Sequence, residues 1–266
     1  MTALPSVLQD LPKVAARLDH EGAMLRLTLN DPPGHVLDST MTASLRKAVC
    51  AAREMPSLRL IVFTGAGKHF SFGASVEEHR PEKVGAMLDA FHGLFRDLQD
   101  TDVPTLALVN GQCLGGGLEL AAFCDWVFAL ESAKLGQPEI KLAVFAPVAS
   151  IVLPWRCGAR ANDLLLSGRT VDARTALAIG LATRVLPDTE AEAHLDAFVR
   201  DELLPLSASS LRRARKAARW HLHRQMKHGL PELESLYLQD LMKTPDATEG
   251  IVAFLEKRAP DWKHQG

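Results

Sequence analysis

The sequence predicts an α/β fold, and three observations lead to this prediction. Short apolar runs of strand length alternate with longer segments of helical periodicity through most of the chain. After residue 205 the pattern changes to helix alone. A chain of 266 residues with 47% hydrophobic content is also long enough to bury a sizeable core. We therefore predict an α/β core over residues 1–204 and a helical C-terminal region over residues 205–266.

The first clear strand covers Met24–Leu29, in which leucines alternate with Arg26 and Thr28. This alternation predicts a strand with one buried face and one exposed face. The strand must end at residues 30–34, Asn-Asp-Pro-Pro-Gly, because these residues favour a turn and cannot continue a ladder of hydrogen bonds.

The remaining elements follow from the same two periodicities. Apolar residues three and four positions apart predict helices, and short apolar runs predict strands. The predicted helices are 40–55, 84–98 and 116–124, and the predicted strands are 58–63, 105–109 and 126–129. In the C-terminal region, Gly-Leu-Pro at 229–231 is expected to interrupt the helix.

Charge and cysteine content narrow the possible functions. The formal net charge of −2 gives no general attraction to nucleic acid or acidic membranes. No apolar run is long enough for a membrane helix, and residues 1–10 do not resemble a signal peptide. The four cysteines are scattered, so we expect reduced thiols and a cytoplasmic protein.

The segment most informative about function is a run of three glycines, 115–117, between a predicted strand and a predicted helix. Without side chains, these residues leave backbone N–H groups open to a ligand, and the helix start adds a positive dipole end. The pattern favours an oxyanion site, with Glu119 in the first helical turn and close to the ligand. The alternative is a plain strand-to-helix turn in which Glu119 only complements the dipole.

A second segment of small residues lies at Gly73 and Ala74, again after a predicted strand. It offers another backbone N–H group, and two such donors from separate loops can hold the oxygen of a thioester enolate. Preorganised donors of this kind are worth about 3–4 kcal/mol each in other enzymes.

Glu139 is the third candidate for a functional site residue, after the glycine run with Glu119 and the pair Gly73 and Ala74. It follows Pro138, which stiffens the loop, and it precedes the apolar run 142–154. A carboxylate beside such a surface has its pKa raised by desolvation and can serve as a proton donor. The alternative is an exposed loop glutamate without a catalytic role.

Other patterns in the chain are weaker. The glycine-rich turns lack the spacing of phosphate-binding or dinucleotide-binding loops, and no nucleophile elbow is present. His221, His223 and His228 resemble metal ligands, but the first two fall on different helix faces, so no metal site is predicted. The basic segment 211–227 is interpreted as a solvated helix, with phosphate or RNA binding as the alternative.

Together these motifs resemble the crotonase family, which is also called the enoyl-CoA hydratase/isomerase family. Gly-Gly-Gly-x-Glu ends at Glu119, Gly-Gln-Pro-Glu ends at Glu139, and the pair Gly73 and Ala74 precedes both. The stretch 253–258, Ala-Phe-Leu-Glu-Lys-Arg, is similar to the ending of that family, so the resemblance covers nearly the whole chain.

The resemblance implies a crotonase-type spiral of ββα turns. It also implies a C-terminal helical region that completes a homo-oligomer, either a trimer or a dimer of trimers. The substrate would be an acyl-CoA thioester, and no metal or other cofactor is implied because coenzyme A is part of the substrate. Phe254 and Lys257 match residues that contact the CoA nucleotide, often one bound mainly to a neighbouring subunit.

The resemblance also assigns roles around the thioester. The N–H groups of Ala74 and Gly116 match the oxyanion hole of the family, and Gly73 and Gly115 would contact the substrate beside them.

Hydratases of this family use two glutamates, and this chain has both. Water addition needs one group to take a proton from water and another to give a proton to carbon. We expect Glu119 to be the base and Glu139 the donor, although the two share their protons and can exchange these parts.

Two departures from the family point to an unusual substrate. Where family hydratases carry a glycine-rich stretch after Gln-Pro-Glu, this chain has the bulkier residues 145–153, and Ser75 and Glu77 replace a frequent Asp and a basic residue. The stretch 70–79 is similar to the dienoyl-CoA hydratases, a branch of the family that hydrates cyclohexa-1,5-diene-1-carbonyl-CoA in anaerobic benzoyl-CoA degradation. The predicted function is therefore hydration of a conjugated acyl-CoA of this cyclic kind. The alternative is an ordinary enoyl-CoA hydratase or isomerase.

Overall fold

The chain is organised around a six-stranded sheet in a computed structural model that describes residues 3–265. Residues 1, 2 and 266, at the outer ends of the two predicted regions, lie outside this description. The described strands are β1 (Val14–Asp19), β2 (Met24–Leu29), β3 (Leu60–Gly65), β4 (Thr105–Val109), β5 (Gln112–Leu114), β6 (Trp126–Leu130), β7 (Lys134–Gly136), β8 (Thr170–Asp172) and β9 (Arg184–Leu186).

Helices follow most of the strands. The described α-helices are α1 (Ser39–Arg53), α2 (Val84–Asp100), α3 (Gly116–Phe123), α4 (Pro147–Cys157), α5 (Ala161–Ser167), α6 (Ala173–Ala178), α7 (Ala191–Ala197), α8 (Ala208–Ala218), α9 (Trp220–Ser235) and α10 (Pro245–Leu255). Shorter segments that matter for the site are the 3-10 turns Val76–His79 and Pro138–Leu142 and the π-helical segment Leu236–Asp240. Of the helices described, none is both long and apolar enough to cross a membrane.

The strands form two sheets. The large sheet has the order β1-β2-β3-β4-β6-β9, with β1 antiparallel to β2 and all other neighbours parallel. The small sheet has the order β5-β7-β8. From β4 onward the chain enters the large sheet and then the small one, β4 before β5 and β6 before β7, and helical segments follow each pair. This path is the spiral of ββα turns that the resemblance implied, and the predicted α/β class is confirmed.

Alternate residues of the large sheet pack on opposite faces. Leu25 and Ile61 belong to the main core, whereas Met24 and Val62, their chain neighbours, pack into a second cluster with Phe198. Both faces are therefore covered, as parallel strands with helical crossovers require.

The predicted exposed face of β2 is wrong. Arg26 is only 7% exposed, and its guanidinium donates two hydrogen bonds, of 2.9 and 2.6 Å, to Glu192 on α7. The alternating polar residue Arg26 is a buried guanidinium paired with a carboxylate at the surface, and periodicity does not distinguish such a residue from an exposed one.

The predicted interruption at 229–231 is also wrong, because α9 runs through both Gly229 and Pro231. Proline inside a helix removes one backbone hydrogen bond. Helix α9 packs against α4 along this stretch, and even a methyl group on Gly229 would lie at ordinary van der Waals distance from Ile151. We attribute the continuity of the helix to this packing. Because the helix continues, the π-helical segment that follows it carries Tyr237 into the protein interior.

The basic segment is not simply a solvated helix. Arg215 and Arg219 are buried, and each donates a 2.7 Å hydrogen bond to the carboxylate of Asp125. Burial acts to raise the pKa of Asp125, but the two guanidiniums outweigh it and lower this pKa to about 2. Its stabilising charge is therefore fully present at neutral pH and is lost only as the pH falls toward about 2. Two of the basic side chains are thus unavailable to an RNA phosphate.

Replacing Asp125 by alanine is expected to lower the free energy of unfolding by about 3–5 kcal/mol, because two arginines would remain buried without a countercharge. Urea denaturation at one fixed protein concentration measures this loss. The matched control is Asp201→Ala, which removes an exposed ion-pair partner of Arg200 and should leave stability nearly unchanged. Equal effects of the two substitutions would contradict the structural role of Asp125.

Candidate active site

Helix α3 begins at the glycine run, as predicted. Gly115 caps the helix with a φ of +52°, a conformation that residues with side chains rarely adopt, and Gly116 is the first helical residue. Glu119 lies in the first turn and is 4% exposed, so its carboxyl group faces the protein interior.

The N–H groups of Ala74 and Gly116 border one small space. A methyl group on Gly116 would lie 3.0 Å from the nitrogen of Ala74, and one on Gly73 would lie 3.2 Å from the nitrogen of Gly116. Among the described residues, neither N–H donates a hydrogen bond to another group. Two free donors from separate loops therefore converge, as a thioester oxygen requires.

Ser71 fixes the two loops relative to each other. Its N–H donates to the carbonyl of Gln112 at 3.0 Å, and its own carbonyl accepts from Leu114 at 2.9 Å. Its hydroxyl accepts from the N–H of Gly73 at 3.1 Å. The two free donors are thus held by a short bridge between strands, and they need no reorganisation when a ligand binds.

The carboxylate of Glu119 lies at the N-terminus of α4. The N–H of Ala149 donates to its Oε1 at 2.8 Å. Burial raises the pKa of Glu119 to about 8, the negative charge of Glu139 adds to the rise, and the N–H groups of Ala149 and Val148 oppose it. The sequence did not predict this contact, because 30 residues separate Glu119 from Ala149.

Glu139 lies in the 3-10 turn Pro138–Leu142, next to the glycine run. A methyl group on Gly115 would come within 2.5 Å of its Oε1, so only glycine leaves room for this carboxylate. Burial raises the pKa of Glu139 to about 7. The alternative interpretation of Glu139 as an exposed loop glutamate does not fit this position.

Two adjoining cavities share the residue Glu139. The outer cavity has a volume of about 780 Å³, within the usual range for small-molecule sites. The inner cavity has a volume of only about 20 Å³. Ala74, His79 and Glu139 line both cavities, whereas Glu119 lines the inner one. An acyl group in the outer cavity would therefore have one carboxyl group beside it and the other behind it.

The remaining predicted site residues divide between the cavity and the surface. Gly73, Gly115 and Phe254 line the outer cavity, and α10 brings Phe254 there within the same chain. Lys257 is exposed and lies outside the lining, whereas Arg258, next to it, is part of the lining. The roles of these residues stay predictions.

Sequence reasoning assigned no role to three residues that line the inner cavity, His79, His92 and Tyr237. The Nδ1 of His79 donates to the carbonyl of Ser75 at 2.7 Å, and burial lowers the pKa of His79, which keeps the ring neutral. Tyr237 is 1% exposed, and its ring packs edge to face on Phe145 at 5.3 Å. For Tyr237 the chain gave no local signal, since it lies nearly 100 residues after Glu139.

The rate of an acid–base reaction at this site is expected to peak between about pH 7 and pH 8. Below this range both Glu119 and Glu139 are protonated and no base remains, and above it both are ionised and no acid remains. The two apparent pKa values that limit the rate on the acidic and the alkaline side belong to the coupled pair rather than to either residue. The pH dependence of kcat measures this. A rate that rises once near pH 4, like an ordinary carboxylate, and then stays constant would contradict the raised pKa values.

Two buried carboxyl groups beside two convergent N–H donors form an arrangement suited to acid–base chemistry next to a polarised carbonyl. A model of the enoyl-CoA hydratase/isomerase family matches residues 19–265. The chain belongs to the enoyl-CoA hydratase/isomerase family, as the resemblance of its motifs predicted.

Individual relatives agree with this assignment. The chain is 46% identical over 249 residues to a cyclohexa-1,5-dienecarbonyl-CoA hydratase of Thauera aromatica, covering 93% of this chain and 96% of the relative. It is 35% identical over 245 residues to a probable enoyl-CoA hydratase of Mycobacterium bovis, covering 90% and 94%. The crystal structure of an enoyl-CoA hydratase from Mycobacterium avium subsp. paratuberculosis matches with a TM-score of 0.84 at 26% identity, covering 96% of this chain and 100% of that one.

Proposed function

We propose that this protein adds water to a conjugated cyclic acyl-CoA, cyclohexa-1,5-diene-1-carbonyl-CoA in the first instance. The observation that carries the hydratase activity is the pair Glu119 and Glu139, two buried carboxyl groups at one inner cavity beside two free N–H donors. The identity of the acyl group rests on the 46% identical relative from Thauera aromatica.

Binding would begin with the thioester carbonyl. Its oxygen accepts hydrogen bonds from the N–H groups of Ala74 and Gly116, and these donors stabilise the negative charge that develops when water attacks the β carbon. The flat acyl ring lies against the apolar part of the outer cavity, which includes Leu142 and Val144.

The proton transfers then follow from the positions of the carboxyl groups. At neutral pH the pair holds one proton, and it reacts from the state in which that proton is on Glu139; this is the minor state, because the pKa of Glu119, about 8, lies above that of Glu139, about 7. Glu119, which lines the inner cavity, then takes one proton as the oxygen of water bonds to the β carbon. The electron pair moves to the thioester oxygen and forms a dienolate. Glu139, which borders both cavities, gives its proton to the far end of the dienolate, so one double bond stays conjugated with the thioester. The pair returns to its starting state when one proton passes from Glu119 to Glu139.

Further parts of the proposal concern the assembly and the CoA group. We expect Phe254 and Lys257 to contact the CoA nucleotide, and no cofactor besides the CoA of the substrate. A homotrimer or a dimer of trimers would cover exposed apolar residues such as Trp220 and Leu236, which are 59% and 47% exposed in the single chain. We also expect a cytoplasmic protein that does not bind nucleic acid.

A substrate panel in ¹⁸O-labelled water tests the proposed function. Cyclohexa-1,5-diene-1-carbonyl-CoA should be hydrated with a kcat/KM well above that of crotonyl-CoA, and the product should carry one labelled hydroxyl group. A preference for crotonyl-CoA would indicate an ordinary enoyl-CoA hydratase. An unlabelled isomer as the sole product would indicate an isomerase and overturn the hydratase proposal.

A further inference from the structure

Three buried polar atoms without a hydrogen-bond partner among the described residues belong to side chains that line the inner cavity. They are the hydroxyl of Tyr237, Nε2 of His92 and Oε2 of Glu139. Tyr237 and His92 are each only 1% exposed. Buried polar groups nearly always have a partner, and ordered water is a common one.

The inner cavity has the size of one water molecule. Its volume of about 20 Å³ exceeds the ~10–15 Å³ that a single water needs. The first three residues of α4 offer no free backbone donor for that water. Pro147 has no N–H group, and the N–H groups of Val148 and Ala149 contact the carboxyl group of Glu119. The unpartnered side-chain atoms of Tyr237 and His92 are therefore candidates for the hydrogen bonds to that water.

A carboxylate orients His92 for this purpose. The Nδ1 of His92 lies 2.6 Å from Oε1 of Glu234, a residue near the end of α9. A carboxylate oxygen accepts, so Nδ1 is the donor, and in the tautomer that carries its hydrogen on Nδ1 the other ring nitrogen, Nε2, is an acceptor. Nε2 can accept a hydrogen from a water molecule in the cavity.

Tyr237 approaches from the same C-terminal region. It lies in the π-helical segment Leu236–Asp240, directly after α9, and π-helical turns often occur at functional sites. Burial raises the pKa of Tyr237, and the nearby charges of Glu139 and Glu119 add to the rise, so its hydroxyl keeps its proton and remains a donor.

We propose that Tyr237 and His92 are positioning residues for the water molecule that is added to the substrate. This inference rests on the proposed hydratase function. The water donates one hydrogen to Glu119 and the other to Nε2 of His92, and it accepts a hydrogen from Tyr237. One lone pair of its oxygen is then free to attack carbon.

The reaction step balances with these partners. The oxygen of water forms the new bond to the β carbon, and the proton shared with Glu119 moves to that carboxylate. The other hydrogen stays on the new hydroxyl group and keeps its hydrogen bond to His92. Neither Tyr237 nor His92 gains or loses a proton, so both act by orientation alone.

Tyr237→Phe tests the first residue, because it removes only the hydroxyl and keeps the ring that packs on Phe145. With the cyclic dienoyl-CoA that the wild-type protein turns over fastest, kcat should fall about 10–100-fold, the scale of a misplaced reactant. KM should change less than about twofold, because the thioester contacts remain. A purely structural role would instead lower thermal stability and leave kcat of the folded protein unchanged.

Two substitutions of His92 distinguish the roles of its two ring nitrogens. The amide of Gln in His92→Gln reaches the position of Nε2, whereas the amide of Asn in His92→Asn reaches that of Nδ1 and keeps the bond to Glu234. We expect His92→Gln to retain more of kcat than His92→Asn. The matched control is His223→Gln, since His223 also has a buried Nε2 without a partner among the described residues but lines neither cavity. It should leave kcat unchanged.

The outcomes distinguish the inference from the function on which it rests. If the wild-type protein hydrates no acyl-CoA, the proposed function fails. If the wild-type protein is active and Tyr237→Phe has the same kcat, only the role of Tyr237 fails. Equal activity of His92→Gln, His92→Asn and wild type would overturn the role of His92. Because both residues hold one water, the double variant Tyr237→Phe with His92→Asn should lose less than the product of the two single losses.

Discussion

Replacing Glu119 by glutamine is expected to lower turnover by about 10²–10⁴-fold, the usual scale for a positioned acid–base group. The substitution preserves the shape of the side chain, and its amide oxygen can still accept the hydrogen bond from Ala149. The fold should therefore persist while the proton acceptor for water is lost. Steady-state hydration of the cyclic dienoyl-CoA, followed at neutral pH, measures the effect.

Glu139→Gln should lose turnover on the same scale, because an amide cannot give the proton to carbon. Glu82→Gln is the control, since Glu82 is exposed and lines neither cavity. Normal turnover in either site variant would remove that glutamate from the mechanism. Binding of the thioester should stay near normal in both, which separates lost chemistry from lost affinity.

Gly116→Val should abolish productive binding of the thioester. The added Cβ would lie 3.0 Å from both the nitrogen of Ala74 and the ring of Phe91, in the space assigned to the carbonyl oxygen. Loss of both donors to the oxygen should weaken kcat/KM by at least about 10²–10³-fold, the cost measured for one such donor in another enzyme. Titration calorimetry with a non-hydrolysable acyl-CoA thioether, together with kcat/KM, measures the loss.

The control for Gly116 is Gly85→Val in α2, where a Cβ meets nothing within 4 Å. It introduces the same side chain into a helix but leaves the site intact, so binding should be unchanged. Circular dichroism shows whether both variants stay folded. A folded Gly116→Val protein that binds the thioester like wild type would contradict the oxyanion assignment.

The part of the site that is formed by residues close together in the sequence could be predicted from the sequence alone. Gly115, Gly116 and Glu119 share one strand-to-helix turn, and Pro138 directly precedes Glu139, so local chemistry was enough to single them out. The helix 84–98 was also predictable, because its apolar stripe has the helical period.

What sequence reasoning missed depends on contacts between distant residues. His92 and Glu234 are 142 residues apart, and no local pattern shows that they meet. For Arg26 the error had the same origin, because its partner Glu192 comes from α7. Five strands were also missed, β1, β5, β7, β8 and β9. The last four are only three residues long, which is too short to show any periodicity.

The uninterrupted course of α9 has a consequence for how the enzyme matures. The helix continues past Pro231, so Glu234, which hydrogen-bonds His92, and Tyr237 are synthesised about 100 residues after Glu139. The glutamates and glycines of the site belong to the first 139 residues. A nascent chain can therefore contain both carboxyl groups and both N–H donors and still lack Tyr237, which lines the inner cavity, and Glu234, which holds His92. Catalytic competence should therefore appear only after residue 237 has been synthesised and α9 has packed on α4.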